Sequence, residues 1–360
     1  MRSPTRMGAL VAGLALGSMS LVAMAPAMSS AAAGDAPAAK HQQTHVVHPG
    51  ESIQAAVNQA RRGDTVVVTA GTYHQGVVIQ KNGLTLRAQG AVTLLPPAYP
   101  HGLCDSDGDA VGICVIPRDL DPTTFTYTIR SQDVTIAGFH LAGFGDGIVG
   151  FGTRNLHIFR VHASNNEGYG MASFDGIGSR IAWNTATGSE VAGVYVGDSP
   201  RADAVVMHNK VWNNQFGFFV RHTHQVTLRH NHTWQNCIGA LLLDDGEPGG
   251  SRDNRVVDNL VARNNHTCVD EDDGTTFSGS GILLLGSRHN AILGNTVLGN
   301  SRPSDFSGGV VLLGEANGNT VAGNFLRNNK PADIRKDPTS VRNHFINNDC
   351  QTSQPNWICA

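Results

Sequence analysis

A repeating unit runs through most of the chain and restricts its fold more than any other feature. Short apolar segments led by glycine recur after residue 131, at Gly147–Phe151, Gly170–Phe174, Gly193–Gly197, Gly217–Arg221, Gly239–Leu243, Gly281–Leu285 and Gly309–Leu313. The leading glycines are 23, 23, 24, 22, 42 and 28 residues apart. A nearly constant period of this length is typical of a solenoid, and the two longer steps indicate loops inserted at its turns.

Asparagine marks a second position in the same period. It follows a short apolar segment in six units, at Asn184, Asn209, Asn231, Asn259, Asn295 and Asn324. Most units carry further asparagines about four or five residues later, at Asn213, Asn214, Asn236, Asn264, Asn265, Asn300, Asn328 and Asn329. Asparagine tolerates the backbone of a sharp corner, and stacked amides can bond to one another. We therefore expect asparagine ladders along the coil axis.

The pattern within each unit distinguishes strands from helices. Apolar residues alternate with a period of two over four to six residues, and glycine and asparagine interrupt any longer run. These features predict an all-β, right-handed parallel β-helix solenoid. One helix is expected, over residues 51–62, with Ile53 and Val57 on its apolar face and Gly63 at its end. Because a solenoid needs a cover over its terminal core, we expect this helix to be an N-terminal cap.

The N-terminal segment indicates export. Arg2 and Arg6 precede an uncharged run from Met7 to Gly34, in which small residues lead up to position 33. This arrangement is typical of a secretory signal peptide. We expect a signal peptide over 1–33, a linker over 34–45, a β-helix domain over 46–349 and a C-terminal tail over 350–360. The mature protein is expected to be secreted.

Six cysteines lie in the exported part, and an even number in an oxidising compartment indicates disulfides. Six cysteines allow 15 pairings. The spacing favours Cys104 with Cys114, Cys237 with Cys268, and Cys350 with Cys359. The last pair would close a short loop in the tail.

The charge balance argues against several partners. The chain has 26 basic and 29 acidic residues, and no polybasic segment stands out. Nucleic acid is therefore an unexpected partner. No segment after the signal peptide approaches the roughly 18 apolar residues of a membrane span, so membrane insertion is not expected either. We expect a monomer whose partner is a polysaccharide or a cell-surface glycan.

The start of the expected domain resembles a known group of proteins. The segments Pro49–Val57, Gly63–Val68, Gly71–Tyr73 and Leu84–Leu86 are similar to the entry of right-handed parallel β-helix proteins. That superfamily includes pectate-lyase-like enzymes and copper-associated maturation proteins. Secreted β-helix proteins of actinobacteria are the most similar group. The resemblance implies the fold but no single reaction, because this scaffold carries lyases, hydrolases, epimerases and adhesins.

Aligning the strands on their leading glycines produces a column of ionisable residues. Five positions after the glycine stand Asp175, Asp198, His222 and Asp244 in consecutive units, and Arg221 precedes the histidine. Equivalent residues of successive turns stack about 4.7–4.9 Å apart. Close carboxylates suit glycoside hydrolysis, and the histidine could assist proton transfer. The column is somewhat similar to the active site of polygalacturonases, although their Gly-His-Gly and Arg-Ile-Lys motifs are missing.

Other residues are candidates for binding substrate or metal. Two positions after the glycine, Tyr195 and Phe219 are expected on an exposed strip that would bind sugar rings. Glu167 and Glu190 are also expected to contact substrate. They stand three positions before the glycine, where they align with Asn214 and Asn236. Asp245, next to the column, is a further expected contact.

Calcium is the candidate cofactor, because hard oxygen ligands cluster in two loops. The first cluster is Asp244, Asp245 and Glu247, and the second is Asp270, Glu271, Asp272 and Asp273. The loop Asp105–Asp109 resembles the start of a calcium loop but lacks its final glutamate. Copper or zinc binding is a weaker alternative, suggested by four nearby histidines, His222, His224, His230 and His232.

The sequence supports two functions and one structural alternative. The first is a carbohydrate-active β-helix enzyme, working as a lyase, hydrolase or epimerase with Asp175, Asp198, His222, Asp244 and Arg221 at its centre. The second is a non-catalytic extracellular protein that binds glycan or a surface partner. The column could instead be structural, because aspartate is frequent in turns.

Overall fold

A computed structural model describes residues 42–100, 102–105, 109–270 and 274–359. The expected signal peptide, most of the expected linker, and the acidic residues Glu271, Asp272 and Asp273 lie outside this part of the chain. Within it, no helix is both long enough and apolar enough to cross a membrane.

The described chain is a right-handed parallel β-helix, as the repeat predicts. One wall of the coil, which we call the front sheet, has twelve strands. They are Val77–Ile79, Val111–Val115, Asp146–Phe151, Tyr169–Phe174, Ala192–Ser199, Phe216–His224, Ile238–Leu243, Ser251–Arg252, Ser280–Leu285, Gly308–Leu313, Ile334–Lys336 and Ser353–Gln354.

The opposite wall, the rear sheet, has nineteen strands. It begins with Thr44–Val47, Thr65–His74, Thr85–Leu95 and Thr135–Ala142. Seven turns then contribute two short strands each, separated by a corner, and a last turn contributes one. These strands are His157–Phe159, His162–Ser164, Arg180–Ala182, Thr185–Thr187, Val205–Met207, Lys210–Trp212, Thr227–Arg229, His232–Trp234, Arg255–Val257, Leu260–Ala262, Ala291–Leu293, Thr296–Leu298, Thr320–Ala322, Phe325–Arg327 and His344–Ile346.

Two small pairs and two helical segments complete the structure. Thr267–Val269 pairs antiparallel with Thr276–Ser278, and Ser131–Gln132 pairs parallel with Thr153–Arg154. The helices are Ile53–Gln59 and the short 3₁₀ segment Asn356–Cys359. The coil begins at Thr44, two residues before the expected start of the domain, and Ser353–Gln354 still pairs with the front sheet inside the expected tail.

The leading glycines allow neighbouring turns to approach closely. A Cβ atom at Gly193 would collide with Val211, and one at Gly217 would collide with the carbonyl oxygen of Gly239. Glycine at this position therefore reflects close packing between successive turns. The same packing keeps the strands in register, so that Ala172, Tyr195, Phe219 and Leu241 are consecutive partners across the front sheet.

The asparagine ladders are confirmed. In the first ladder, side-chain amides join Asn184, Asn209, Asn231, Asn259, Asn295, Asn324 and Asn348 at 2.9–3.0 Å. The second ladder joins Asn214, Asn236, Asn264, Asn300 and Asn329 at 2.8–3.1 Å. A third, which the spacing did not predict, contains Asn254, Asn290, Asn319 and Asn343. These buried amides satisfy one another and the backbone groups at the corners.

The coil is covered at its start and fastened by disulfides. The helix is shorter than expected, begins after Ser52, whose side chain accepts a hydrogen bond from the Ala55 amide, and buries Ile53 and Val57 in the core inside the coil. The cysteines pair as predicted, Cys104–Cys114, Cys237–Cys268 and Cys350–Cys359.

Candidate active site

The predicted column of ionisable residues occupies a single corner of the coil. It lies near the ends of the front strands, one position after the register partners Phe174, Gly197, Arg221 and Leu243. Asp175 and Asp244 directly follow their strands, whereas Asp198 and His222 lie within the last residues of theirs. Asp175, Asp198 and His222 have left-handed φ angles of 46°, 54° and 47°. Gly152 and Gly286, at the ends of the column, share this conformation. Aspartate adopts it more readily than most residues, so the corner accounts for part of the composition of the column.

His222 is the centre of a hydrogen-bonded network within that corner. Its Nδ1 lies 2.9 Å from Asp198 Oδ1, and its Nε2 contacts Asp245 Oδ1. Arg221 donates from Nε to Asp245 Oδ2 at 2.9 Å, and a second nitrogen of its guanidinium reaches the same oxygen. The Tyr195 hydroxyl donates to Asp198 Oδ2 at 2.7 Å. Five side chains from three turns thus form one continuous chain.

The network pairs two buried cations with two carboxylates that are more exposed than the cations. The side chains of His222 and Arg221 are 8% and 11% exposed, whereas those of Asp198 and Asp245 are 37% and 28% exposed. Burial alone would lower the pKa of His222, but the hydrogen bonds to Asp198 and Asp245 outweigh it and raise the pKa to about 9. The imidazole is therefore charged at neutral pH.

The same contacts set the protonation of the other members. Burial would raise the pKa of Asp245, but the hydrogen bonds from His222 and Arg221 hold it well below its usual range. Burial and the nearby Asp198 carboxylate raise the pKa of the Tyr195 phenol. The site consequently contains a carboxylate, an imidazolium, a guanidinium and a phenol that keeps its proton.

Two members of the predicted column lie apart from this network. Asp175 is held from another direction, since Arg130 Nη2 donates to its Oδ1 at 2.8 Å and the Tyr127 hydroxyl donates to its Oδ2. Asp244 accepts the amide of Gly246 at 3.2 Å and is not bonded to His222. Arg130 and Tyr127 precede Asp175 by more than 40 residues, and no repeat pattern connects them with it.

Tyr195 and Phe219 point outward from the front sheet, but the prediction that they form an exposed strip is wrong. They are 1% and 4% exposed, because a second apolar cluster covers this face. Loops and a hairpin supply its cover through Cys104, Leu120, Phe277 and Phe306. Phe277 packs on Phe216 with ring centroids 5.4 Å apart.

The alignment of Glu167 and Glu190 with the asparagines is also wrong by one position. Asn214 and Asn236 stack instead with Asn166 and Ser189, whose neighbours Glu167 and Glu190 are exposed. The glutamates precede the front strands, whereas Asp198, Arg221 and His222 lie near the other ends of these strands.

The donor sets predicted for metals do not fit. Both oxygens of Asp245 already face cations, and Glu247 is exposed on the loop beyond it. The four histidines are divided. His222 and His224 lie near the end of one front strand, where His224 contacts the Gly249 carbonyl at 2.6 Å, and His230 and His232 belong to the rear of the coil. Among the described residues, no group of three or more His, Cys, Asp or Glu side chains is placed to hold a metal ion.

Comparisons with known proteins agree with this architecture. No curated protein sequence matches the chain significantly. The A-module of mannuronan C-5 epimerase AlgE6 from Azotobacter vinelandii has a TM-score of 0.61 and 16% identity, covering 82% of this chain and 88% of that one. For the A-module of AlgE4 from the same organism the TM-score is 0.57 and the identity 18%, with 80% and 86% covered. An alginate lyase from Paenibacillus sp. str. FPU-7 has a TM-score of 0.59 and 14% identity, with 85% and 99% covered.

At such identities these structures show a shared fold. The family model described as the right handed beta helix region matches residues 146–326, which is just over half of the chain and contains the whole network around His222. The resemblance seen at the start of the coil is therefore confirmed, and the chain belongs to the right-handed β-helix family.

Proposed function

We propose that this chain is a secreted enzyme that modifies an acidic polysaccharide by proton transfer, as a lyase or an epimerase. The observation that carries the proposal is the continuous chain of hydrogen bonds through Tyr195, Asp198, His222, Asp245 and Arg221. The names of the similar structures, two mannuronan epimerase modules and an alginate lyase, support the substrate class.

The protonation of the site favours these reactions over hydrolysis. A glycoside hydrolase needs one carboxyl group that is kept protonated until it meets the glycosidic oxygen. The pKa of Asp245 is shifted in the opposite direction, and Asp198 lies between the Tyr195 hydroxyl and the His222 imidazolium. Asp245 therefore stays a carboxylate and cannot be that acid.

Asp198 is the proposed base, because it is the most exposed member of the network. It would take the proton from C5 of the sugar, next to the sugar carboxylate. In a lyase, the C4–O4 bond then breaks, a C4=C5 double bond forms, and the newly protonated Asp198 returns the proton to O4. In an epimerase, a water molecule instead gives a proton to C5 on its opposite face, and Asp198 releases the proton that it took to the solvent. The Tyr195 hydroxyl would hold the Asp198 side chain in position during either reaction.

Arg221 and His222 would stabilise the negative charge that develops on the sugar carboxylate when C5 loses its proton. In this structure the Asp245 carboxylate bonds to both cations. Asp245 belongs to an exposed loop in which Gly246, Gly249 and Gly250 have positive φ angles. The sugar carboxylate would reach the cations by displacing Asp245.

The test is an assay of the purified protein on alginate, polygalacturonate and a neutral polysaccharide. Absorbance of unsaturated uronate would report elimination, solvent-deuterium incorporation at C5 would report epimerisation, and new reducing ends without absorbance would report hydrolysis. Asp198→Asn should lower turnover at least a hundredfold. Asp175→Asn is the matched control, because it changes the same corner position outside the network, and it should retain activity. Equal losses in both variants, or reducing ends alone, would contradict the proposed reaction.

Binding without catalysis is the second candidate. The apolar cover over the front sheet buries Tyr195 and Phe219, so the aromatic contacts expected of a substrate cleft beside the network are missing. It predicts no turnover in any of these assays.

The three disulfides support secretion, because disulfides persist in oxidising compartments. Expression with the native N-terminus should place the oxidised protein outside the cell, and retention in the cytoplasm would contradict this part of the proposal.

A further inference from the structure

Three of the four tryptophans of the chain lie on the outside of the rear sheet, away from the network around His222. Trp212 and Trp234 end two neighbouring rear strands and are register partners. Trp183 occupies the corner between the paired short strands of an earlier turn. Aromatic residues this concentrated on one outer surface are not part of the core inside the coil.

The rings form two stacks that run along the coil. In the first, Trp183 lies parallel to His208 with centroids 4.0 Å apart, and His208 lies 5.2 Å from His230. In the second, Trp212 and Trp234 are parallel with centroids 4.9 Å apart. The two stacks lie on the same turns, since His208 and Trp212 are four residues apart and so are His230 and Trp234. We call these five residues the rear aromatic surface.

Trp183 ends the first stack and is more exposed than Trp212 and Trp234. It is 57% exposed, and its φ angle is 63°. A bulky aromatic residue is uncommon in this left-handed conformation, which glycine or asparagine would adopt at lower cost. Gly294 and Gly323, farther along the coil, have φ angles of 62°. The conformation of the backbone at this position therefore does not explain why a tryptophan stands there.

Exposed cations surround the rings. Arg160 precedes Trp183 in the same corner column, Arg180 begins the strand before Trp183, and Lys210 begins the strand that ends at Trp212. No ion pair to a carboxylate is present at any of these three among the described residues. Asp258 lies at the far end of the column, beyond His230. The Trp183 end is consequently basic in a chain with a net charge of −3.

We propose that the rear aromatic surface, with Arg160, Arg180 and Lys210, is a binding site for an acidic polysaccharide, separate from the active site. A pyranose ring packs its apolar face on an exposed aromatic ring, and the cations pair with the sugar carboxylates. Single-stranded nucleic acid fits less well, because the chain has a net charge of −3 and lacks the basic stripe that follows a nucleic-acid backbone.

Native gel electrophoresis through gels containing alginate, polygalacturonate or neutral hydroxyethylcellulose tests the site. The wild-type protein should be retarded by both acidic polymers and not by the neutral one. Trp183→Asn should weaken binding at least fivefold, because it removes the ring while keeping a residue suited to the left-handed backbone. The control is Trp357→Ala, which removes a tryptophan of the same 57% exposure near the C-terminus and should bind normally.

Further variants test the charge component. Arg160→Gln combined with Arg180→Gln should weaken retardation by the acidic polymers, and circular dichroism with thermal melting would show that each variant is folded. The proposal is overturned if Trp183→Asn binds like the wild type, if the neutral polymer retards the protein equally, or if a single-stranded oligonucleotide in the gel has the same effect as alginate.

Discussion

At the scale of single residues, neighbours rather than position decide what the corner column does. Asp175 and Asp198 share a column, a residue type and a left-handed backbone. Asp175 is fixed by Arg130 and Tyr127 from a preceding loop, whereas Asp198 bonds to Tyr195 and His222. The repeat located both residues, but it carries no information on the loop that separates their roles.

The raised pKa of His222 predicts a pH-dependent stability. Its folded-state pKa of about 9 exceeds the usual 6.5, so the stabilisation is complete below pH 6.5 and is lost as pH rises toward 9. The shift corresponds to a contribution on the order of 3 kcal/mol to the free energy of unfolding. Chemical denaturation between pH 6 and 9.5 should show this decline, and NMR titration of the imidazole should give the pKa.

Two variants test the cause of that shift. In Asp245→Asn, which weakens one of the two carboxylate contacts, the pKa of His222 should fall. In His222→Asn, chosen because asparagine suits the left-handed backbone, most of the decline between pH 6.5 and 9 should disappear. An unchanged decline in His222→Asn would assign it to other groups.

At the scale of elements, the strands and ladders were predictable because they repeat, and the chain between them was not. Counting from glycine to glycine located the front strands and the corner after them. It misaligned Glu167 and Glu190 because the turn before the strand varies in length. Ser189 is four residues before Gly193, whereas its ladder partner Asn214 is only three residues before Gly217. The burial of Tyr195 and Phe219 depends on Phe277 and Phe306, whose loops lie outside the repeat.

The ladders should carry a measurable share of the stability. The Asn231 side chain donates to Val206 and Asn259 and accepts from both the backbone and the side-chain amide of Asn209. Asn231→Ala leaves several buried groups without partners, and we expect it to lower the free energy of unfolding by about 3 kcal/mol or more. Denaturant titration measures this loss.

Asn348→Ala is the matched comparison. Asn348 ends the same ladder and is only half-buried, so water can replace its bonds. We expect this variant to lose about 1 kcal/mol. Equal losses at the two positions would mean that burial does not determine the strength of a ladder bond.

At the scale of the whole molecule, each turn contacts mainly the turns before and after it, so stability should vary along the coil. We expect hydrogen exchange to be slowest in the strands Phe216–His224 and Ile238–Leu243, which have turns on both sides, and fastest in Thr44–Val47 and Ser353–Gln354. Exchange followed by mass spectrometry would measure this gradient. Uniform protection from end to end would show instead that the coil opens as one unit.

The ladders also determine where this protein can acquire new sequence. Asn231 and Asn259 are 28 residues apart, Asn259 and Asn295 are 36 apart, and yet both pairs are joined by amide bonds of 3.0 Å. The additional residues leave the pitch of the coil unchanged because they enter between ladder positions. The segment 301–307 lies between Asn300 and a front strand, and it offers a place to insert a foreign peptide without disturbing a rung. In the part of the coil that contains the ladders, added sequence is therefore accommodated between rungs, where it need not change the spacing of the turns.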